Sequence, residues 1–380
     1  MGAAAAAFFC VLLFLSVQGG ALGYTRSDFP RDFVFGAATS AYQCVCSMRA
    51  LLQRMAGALL SGTRSHMKGK RKTKVQAMSL QMGTTSTRYT GDVKLMAETG
   101  LEAYKFSISW SRLMPNGRGA VNQEGLKYYN NVIDELAKRG IQPHIMLCHL
   151  DLPQALEDEY DGWLSPRIVI LHPLVFGDYP QVMKKTIGSR LPSFSQVQTE
   201  LIKGAIDFIG INHYYSAYVN YRPLVEGVRD YVADRSVSAR VYKTDPPTEK
   251  YEPTEYPNDP KGLQLALEYL RESYGDFPIY IEENGKGSTN DSLDDPDRVD
   301  YIKGYIGGVL DAIRNGVDVR GYFVWSFVDV FELLDGYQSR FGLYRVDFDD
   351  GVRPRRARRS ARWYSDFLKG KKDPVLIAQQ

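Results

Sequence analysis

The chain has 380 residues, 44% hydrophobic and 24% charged, with a formal net charge of +3. That length accommodates one large domain with a substantial core, and the balance is that of an ordinary globular protein, which excludes disordered and fibrous classes. Aromatic residues make up 12%, with 25 Tyr. Their flat faces serve sugar stacking and core packing equally.

Ala3 to Val17 is apolar, the small residues Gly19, Gly20, Ala21 and Gly23 follow, and no charge occurs before Arg26. This reads as a secretory signal peptide over residues 1–23, since the run is too short to span a bilayer comfortably. The product is then expected outside the cell, in the cell wall or in the vacuole, with residues 24–380 as one domain. No later run is apolar enough for a membrane helix, so no membrane partner is expected. Of Cys10, Cys44, Cys46 and Cys148, the first leaves with the signal and the remaining three cannot all pair. A disulfide scaffold is excluded, and Cys44 and Cys46 lack the second ligand pair that a zinc site needs. Asn290-Asp291-Ser292 is an acceptor triplet for N-glycosylation.

After the signal, Phe33 to Tyr42 reads as a buried strand. The composition then shifts. Nine Lys or Arg (49, 54, 64, 68, 70, 71, 72, 74 and 88) and no Asp or Glu lie between Cys44 and Arg88, which leaves the rest of the chain at −6. The stretch 44–88 lacks a helical or strand period, so it reads as a solvated insert in preference to a nucleic-acid patch. No nucleic-acid partner is expected. From Asp92 the pattern is regular. A helix over Asp92 to Thr99 ends at Gly100, and Ala103 to Trp110 is a strand. Gly125 to Lys138 is a helix with Leu126, Tyr129, Val132, Ile133 and Leu136 on its apolar face, ended by Gly140, and Pro143 to Leu150 is a strand. Later strands fall at Asp207 to Tyr215, Pro278 to Glu283 and Val319 to Val328. Helices fall at Leu263 to Tyr274, Asp300 to Asn315 and Ala361 to Leu368. This alternation with short connections marks β-α units on a parallel sheet, the plan of a (β/α)8 barrel. Six strands are found where eight are wanted, and the gap lies between Ile168 and Asp207.

Reactive groups in such barrels stand at the C-terminal ends of strands. Those ends carry Gln43, His149, Asn212 with Tyr214, Glu283 and Trp325, a set able to hydrogen-bond hydroxyls and stack on a ring. Singly, each reads equally as a structural residue. Together with their flanks they resemble glycoside hydrolase family 1, most of all the plant β-glucosidases. The matching segments are F-G-A-A-T-S-A-Y-Q (35–43), L-C-H-L-D-L-P-Q (147–154), F-I-G-I-N-H-Y (208–214), I-Y-I-E-E-N-G (279–285), W-S-F-V-D-V-F-E (325–332) and R-F-G-L with Phe341. The resemblance implies a TIM barrel that hydrolyses terminal non-reducing β-D-glucosyl residues with retention. Glu283 would be the nucleophile and Tyr214 its neighbour, with Gln43, His149, Asn212, Trp325, Glu332 and Phe341 around the sugar. A small β-glucoside is the implied substrate, with no cofactor and no metal.

The departures shape the expectation further. A retaining glycosidase uses two carboxylates roughly 5–5.5 Å apart. The family's acid/base Glu lies in a T-[LM]-N-E-P-like motif on the fourth strand, and no such motif occurs here. The chain passes from G-W-L-S-P-R-I-V (162–169) straight to L-H-P-L-V-F-G-D-Y-P (171–180), which resembles a later part of the family. Strands four and five are therefore expected to be missing. Glu282 is not expected to substitute, because successive strand residues face opposite sides, and Glu332 matches a sugar-binding residue. The family's strand-two Arg is Lys105 here, the Trp after the binding Glu is Leu333, and the insert replaces the Glu-Gly expected after Gln43. Activity is expected to be impaired; the alternative is a catalytically inactive glucoside-binding or non-functional isoform.

Overall fold

The computed structural model describes residues 23–44, 88–149, 151, 153, 171–222, 237–240, 257–332, 336–350 and 352–371. The expected signal segment, most of the basic stretch, the join before Leu171, and Leu333 lie outside the described residues. Six parallel strands form the central sheet: β1 (Val34–Ala38), β2 (Ala103–Ser107), β3 (Gln142–Met146), β4 (Ile209–Asn212), β5 (Ile279–Asn284) and β6 (Val319–Trp325). Their order across the sheet is β3-β2-β1-β6-β5-β4. First and last strands pair, as in a closed barrel, while among the described residues β3 and β4 remain edges. The described chain between them forms the short helices Leu171–Phe176, Gln181–Ile187 and Gln196–Ile202. The fold is therefore a (β/α)8 plan without its fourth and fifth strands among the described residues, as the sequence implies.

Burial follows this opening. All five residues of β2 are buried, whereas none of β3 is, and β4 buries Ile209 alone. Apolar Ile145, Leu147 and Phe208 stand exposed at the two edges. The sheet is nevertheless curled. The His144 ring of β3 reaches Phe323 of β6 at 4.6 Å and Tyr280 of β5 at 5.3 Å. Gly36 makes room at the centre: a Cβ there would lie 2.5 Å from the Ala103 carbonyl oxygen and 2.6 Å from the Phe323 ring.

The outer layer holds helices α1 (Arg88–Thr99), α2 (Gln123–Lys138), α3 (Pro260–Tyr274), α4 (Pro296–Arg314) and α5 (Arg359–Leu368). Helix α1 ends at Gly100 and α2 is followed by Gly140, with φ of 93° and 70°, the left-handed conformation glycine adopts without a Cβ penalty. Tyr129, Val132 and Leu136 of α2 are buried as expected, but Leu126 is exposed. On the far side Phe29, Phe33, Phe35 and Phe367 form one aromatic cluster, and the Tyr364 hydroxyl donates to the Gly36 carbonyl at 2.9 Å.

Element ends depart from expectation in a consistent way. Helices α3 and α4 start earlier, at Pro260 and Pro296, because proline at the first helical position has its φ preset and breaks no bond. The Asp259 carboxylate caps α3 by accepting from the Gly262 N–H at 3.1 Å. Strands stop earlier. Ala38, Ser107 and Met146 end β1, β2 and β3, and chain expected to be extended turns instead into the short helices Ala41–Cys44 and Trp110–Leu113 or into loops. β4 likewise ends at Asn212 and β6 at Trp325.

Candidate active site

The site is built at the C-terminal ends of β1, β2, β3, β5 and β6. In β5 the register slips: Ile281 faces Tyr322 and Asn284 faces Val324, so two glutamates oppose the single residue Phe323. The same extra residue appears against β4, where Ile211 pairs Ile281 but Asn212 pairs Glu283. This is a β-bulge, which re-aims side chains beside it. It corrects the expectation for Glu282. Alternation counted from Glu283 would send Glu282 to the helices, but the strand alternates from Tyr280, whose ring meets His144 in the lumen, to Glu282, whose carboxylate lies 3.4 Å from the Nδ1 of His144 across the barrel interior. Glu282 and Glu283 both occupy the lumen, at different levels. Asn284 takes the helix side, accepting from the Tyr322 hydroxyl at 2.6 Å and donating to the Tyr301 hydroxyl at 3.1 Å.

Glu283 is 4% exposed. One carboxylate oxygen accepts from the Lys105 ammonium at 2.6 Å and the other from the Tyr214 hydroxyl at 2.6 Å. A carboxylate so enclosed has a fixed orientation. Lys105 is itself 2% exposed, so the pair is desolvated on both sides. Burial and the neighbouring Glu283 push the Tyr214 phenol well above its ordinary value, which keeps it a donor. Tyr214 is steadied in turn, because its carbonyl accepts from the Tyr301 hydroxyl at 2.6 Å.

His149 stacks on Trp325, rings 6.0 Å apart and 2° from parallel, with its Nδ1 3.7 Å from Glu283. Burial lowers its pKa, against the opposing pull of Glu283, so the ring is neutral near pH 7 and can both donate and accept. Its backbone N–H donates to Asp151 at 3.0 Å, and burial raises the pKa of that carboxyl. On the opposite rim Gln43 donates through Nε2 to Glu332 at 3.1 Å, and the Trp325 indole N–H points at Glu332 at 3.4 Å. Phe341 meets Tyr214 edge to face at 6.2 Å. The loops carrying Glu332 and Phe341 are clasped from below. Arg358 donates to both oxygens of Asp329 at 2.9 Å and to the Gly342 carbonyl at 2.7 Å.

Gln43, His149, Tyr214, Glu283, Trp325, Glu332 and Phe341 thus converge on one mouth. Asn212 does not join them. It is exposed at the free edge of β4, and its place beside Glu283 is taken by the backbone N–H of His213, which donates to the Glu283 carbonyl at 2.9 Å. Asn290 is exposed, and its side-chain oxygen accepts from the Ser292 N–H at 3.0 Å. Asp151, Asn284 and Tyr301 belong to the site's support without being singled out by the sequence. The first two stand inside the matching segments, but their bonds run to backbone or to another layer and leave no spacing signal. Among the described residues no group of three or more His, Cys, Asp or Glu is arranged to hold a metal ion.

Comparisons with known proteins agree with this geometry. A sequence profile described as Glycosyl hydrolase family 1 matches residues 25–171 and 167–373. Beta-glucosidase 2 of Oryza sativa subsp. japonica is 66% identical, with 100% of each chain covered. That alignment runs over 506 positions against 380 residues, so the relative carries segments with no counterpart here. Beta-glucosidase 3 of the same plant is 51% identical, again with 100% of each chain covered. Among solved structures, the rice Os3BGlu6 β-glucosidase is 27% identical with a TM-score of 0.76, covering 92% of this chain and 100% of that one. A mutant of it in a covalent complex with Glc is 28% identical with a TM-score of 0.77 and the same coverage. The chain, a glycosidase by this measure, belongs to glycosyl hydrolase family 1.

Proposed function

We propose that the protein is a β-glucosidase that retains the nucleophile half of its site and is impaired in the acid/base half. The observation that carries this is Glu283, fixed between Lys105 and Tyr214 beside the neutral imidazole of His149 and the Gln43–Glu332 pair. In the proposed first step Glu283 attacks the anomeric carbon of a β-glucoside and the glycosidic C–O bond breaks. The electron pair leaves on the aglycone oxygen. Gln43, His149, Trp325 and Glu332 hold the glucosyl hydroxyls, Phe341 packs beside them, and Tyr214 orients the attacking carboxylate. Water then cleaves the glucosyl ester with net retention.

An alkoxide leaving group needs a proton, and a positioned acid typically contributes about 10²–10⁴-fold. The T-[LM]-N-E-P-like motif occurs nowhere in the sequence. Among the described residues the carboxylates flanking Glu283 are already engaged, Glu282 with His144 and Glu332 with Gln43 and Trp325. Alkyl glucosides are therefore turned over slowly, whereas a dinitrophenyl glucoside, whose phenolate leaves unprotonated, still glucosylates Glu283. The test is mass spectrometry after incubation with dinitrophenyl 2-deoxy-2-fluoro-β-glucoside. The expected result is a glucosyl adduct on the Glu283 peptide that is absent from Glu283→Gln. An unlabelled but folded protein would establish instead the inactive glucoside-binding reading. Rapid hydrolysis of alkyl glucosides would show that another group supplies the proton.

The same proposal places the protein in the secretory pathway, with the mature chain starting near Tyr24 and a glycan on Asn290. The exposed Asn290 side chain supports the second point. N-terminal sequencing of exported protein should begin near residue 24, and glycan removal should increase gel mobility. An intact Met1 end, or unchanged mobility, would refute the respective part.

A further inference from the structure

We propose that Glu282 and His144 form a bridge across the barrel that positions His149, doing from inside the lumen what the fourth strand would do from the edge. The inference rests on the reading of the sugar site above. Its starting point is mechanical. Among the described residues β3 is hydrogen-bonded in the sheet through β2 alone, and its other side is an exposed edge. His149 lies three residues beyond the end of β3, so any displacement of that strand carries the imidazole away from Glu283 and Trp325.

Three features place the bridge where it can resist such a displacement. Glu282 alternates with Tyr280, whose ring meets His144 in the lumen, and the bulge opposite Phe323 lets it stand there beside Glu283. Gly210 of β4 leaves the space for it, because a Cβ there would lie 3.0 Å from the Glu282 Cγ. His144 then spans the lumen from the opposite side, its Nδ1 3.4 Å from the carboxylate and its ring against Phe323 and Tyr280. The two side chains are 12% and 14% exposed. The Nε2 of His144 is buried without a hydrogen-bond partner among the described residues, so the Glu282 side is where this ring makes its polar contact. The neighbouring charges are Lys105 and Glu283, and Lys105 is the register partner of His144 on β2. One imidazole therefore ties β3 to β5 and β6 at the level just below the site. The contacts of Glu282 run to His144 and past Gly210 and not to the groups assigned to the sugar, so it is a positioning residue.

The test is a cycle of binding constants for 1-deoxynojirimycin, measured by calorimetry on the full chain. Glu282→Leu should weaken binding about three- to tenfold, in the range of coupled neighbours. Glu282→Gln keeps a polar group facing the imidazole and should stay within about twofold. The deciding variant is the double one. If Glu282 acts through His149, its penalty vanishes in a His149→Ala background. An undiminished penalty in that background, or none in the parent, overturns the proposal. His144→Phe supplies a second route if Glu282→Leu fails to fold. It keeps the ring packing, removes the bond and should show the same dependence on His149. Failure of the unaltered protein to bind the iminosugar would sink the site reading itself, and this proposal with it; an additive cycle sinks the bridge alone.

Discussion

The central strands and the edge strands of this sheet obey different physics. β1, β2 and β6 are packed on both faces, and their lumen side chains have partners: Lys105 on Glu283, and Trp325 on His149 and Glu332. β3 and β4 are packed on one flank, expose apolar side chains and end in residues of mixed fate, His149 inside and Asn212 outside. Glu283 is borne by β5, one strand in from the edge, and its carboxylate is held by Lys105 of central β2 and by Tyr214 and His149, which follow the edge strands β4 and β3. Among the described residues the sheet is open between β3 and β4. Pairing on one flank alone does not scatter a site: groups beyond the edge strands stay in place where their side chains bond to or stack on inner strands, as Tyr214 does on Glu283 and His149 on Trp325.

Stability measurements can break this comparison. Phe323→Ala removes a fully buried ring from the centre and should cost about 3–5 kcal/mol by urea denaturation. An effect below about 1 kcal/mol would mean that the lumen is not packed as described. Lys105→Met leaves Glu283 buried without its cation, and breaking such a pair costs about 3–5 kcal/mol. It should also slow labelling of Glu283 by the fluoro sugar, which a purely structural lysine would not do in molecules that remain folded.

The histidines sharpen the comparison by pH. Burial lowers the pKa of both His149 and His213 below the ordinary value of 6.5. The unfolded chain then binds protons that the folded chain refuses. Stability is fully present above about pH 6.5 and is lost as pH falls toward the lowered values, by at most about 1.4 kcal/mol per pH unit for each histidine. His213→Gln should flatten the slope between pH 7 and 5, and an unchanged slope would assign the loss to other groups. The smallest effect belongs to the edge. Leu147, 75% exposed, should change stability by no more than about 0.5 kcal/mol when replaced by Ser. A loss of several kcal/mol would mean that the edge is covered in solution.

Much of this architecture is legible in the amino-acid sequence. Helix periods, glycine stops and strand-end polar residues give the β-α plan, because a two-sided sheet and amphipathic helices leave different periods in the chain. The ordered matches around Gln43, His149, Tyr214, Glu283, Trp325 and Glu332 locate the mouth. The lack of a sheet strand among the described residues 171–206 is legible as well, since a strand that is absent leaves no apolar run. The orientation of Glu282 is not. A bulge is a count of residues on one strand against its neighbour, and nothing in I-Y-I-E-E-N-G states what lies opposite. Asn212 escapes for a related reason, because a residue at a strand end faces a neighbour strand or faces solvent according to whether that neighbour is there. The proline starts of α3 and α4 escape because periodicity begins after the first turn.

Pro143 in β3 bears on how the protein behaves at high concentration. The Gln142 N–H bonds inward to the Glu102 carbonyl at 2.9 Å, so by alternation the next nitrogen faces the free edge, and that nitrogen is a proline's, with no hydrogen to offer. A strand arriving from another molecule would meet a gap in the ladder there, which blunts accretion on that side. The β4 edge, Ile-Gly-Ile-Asn at 209–212, has no such interruption. Self-association, and eventually precipitation, should therefore begin at β4.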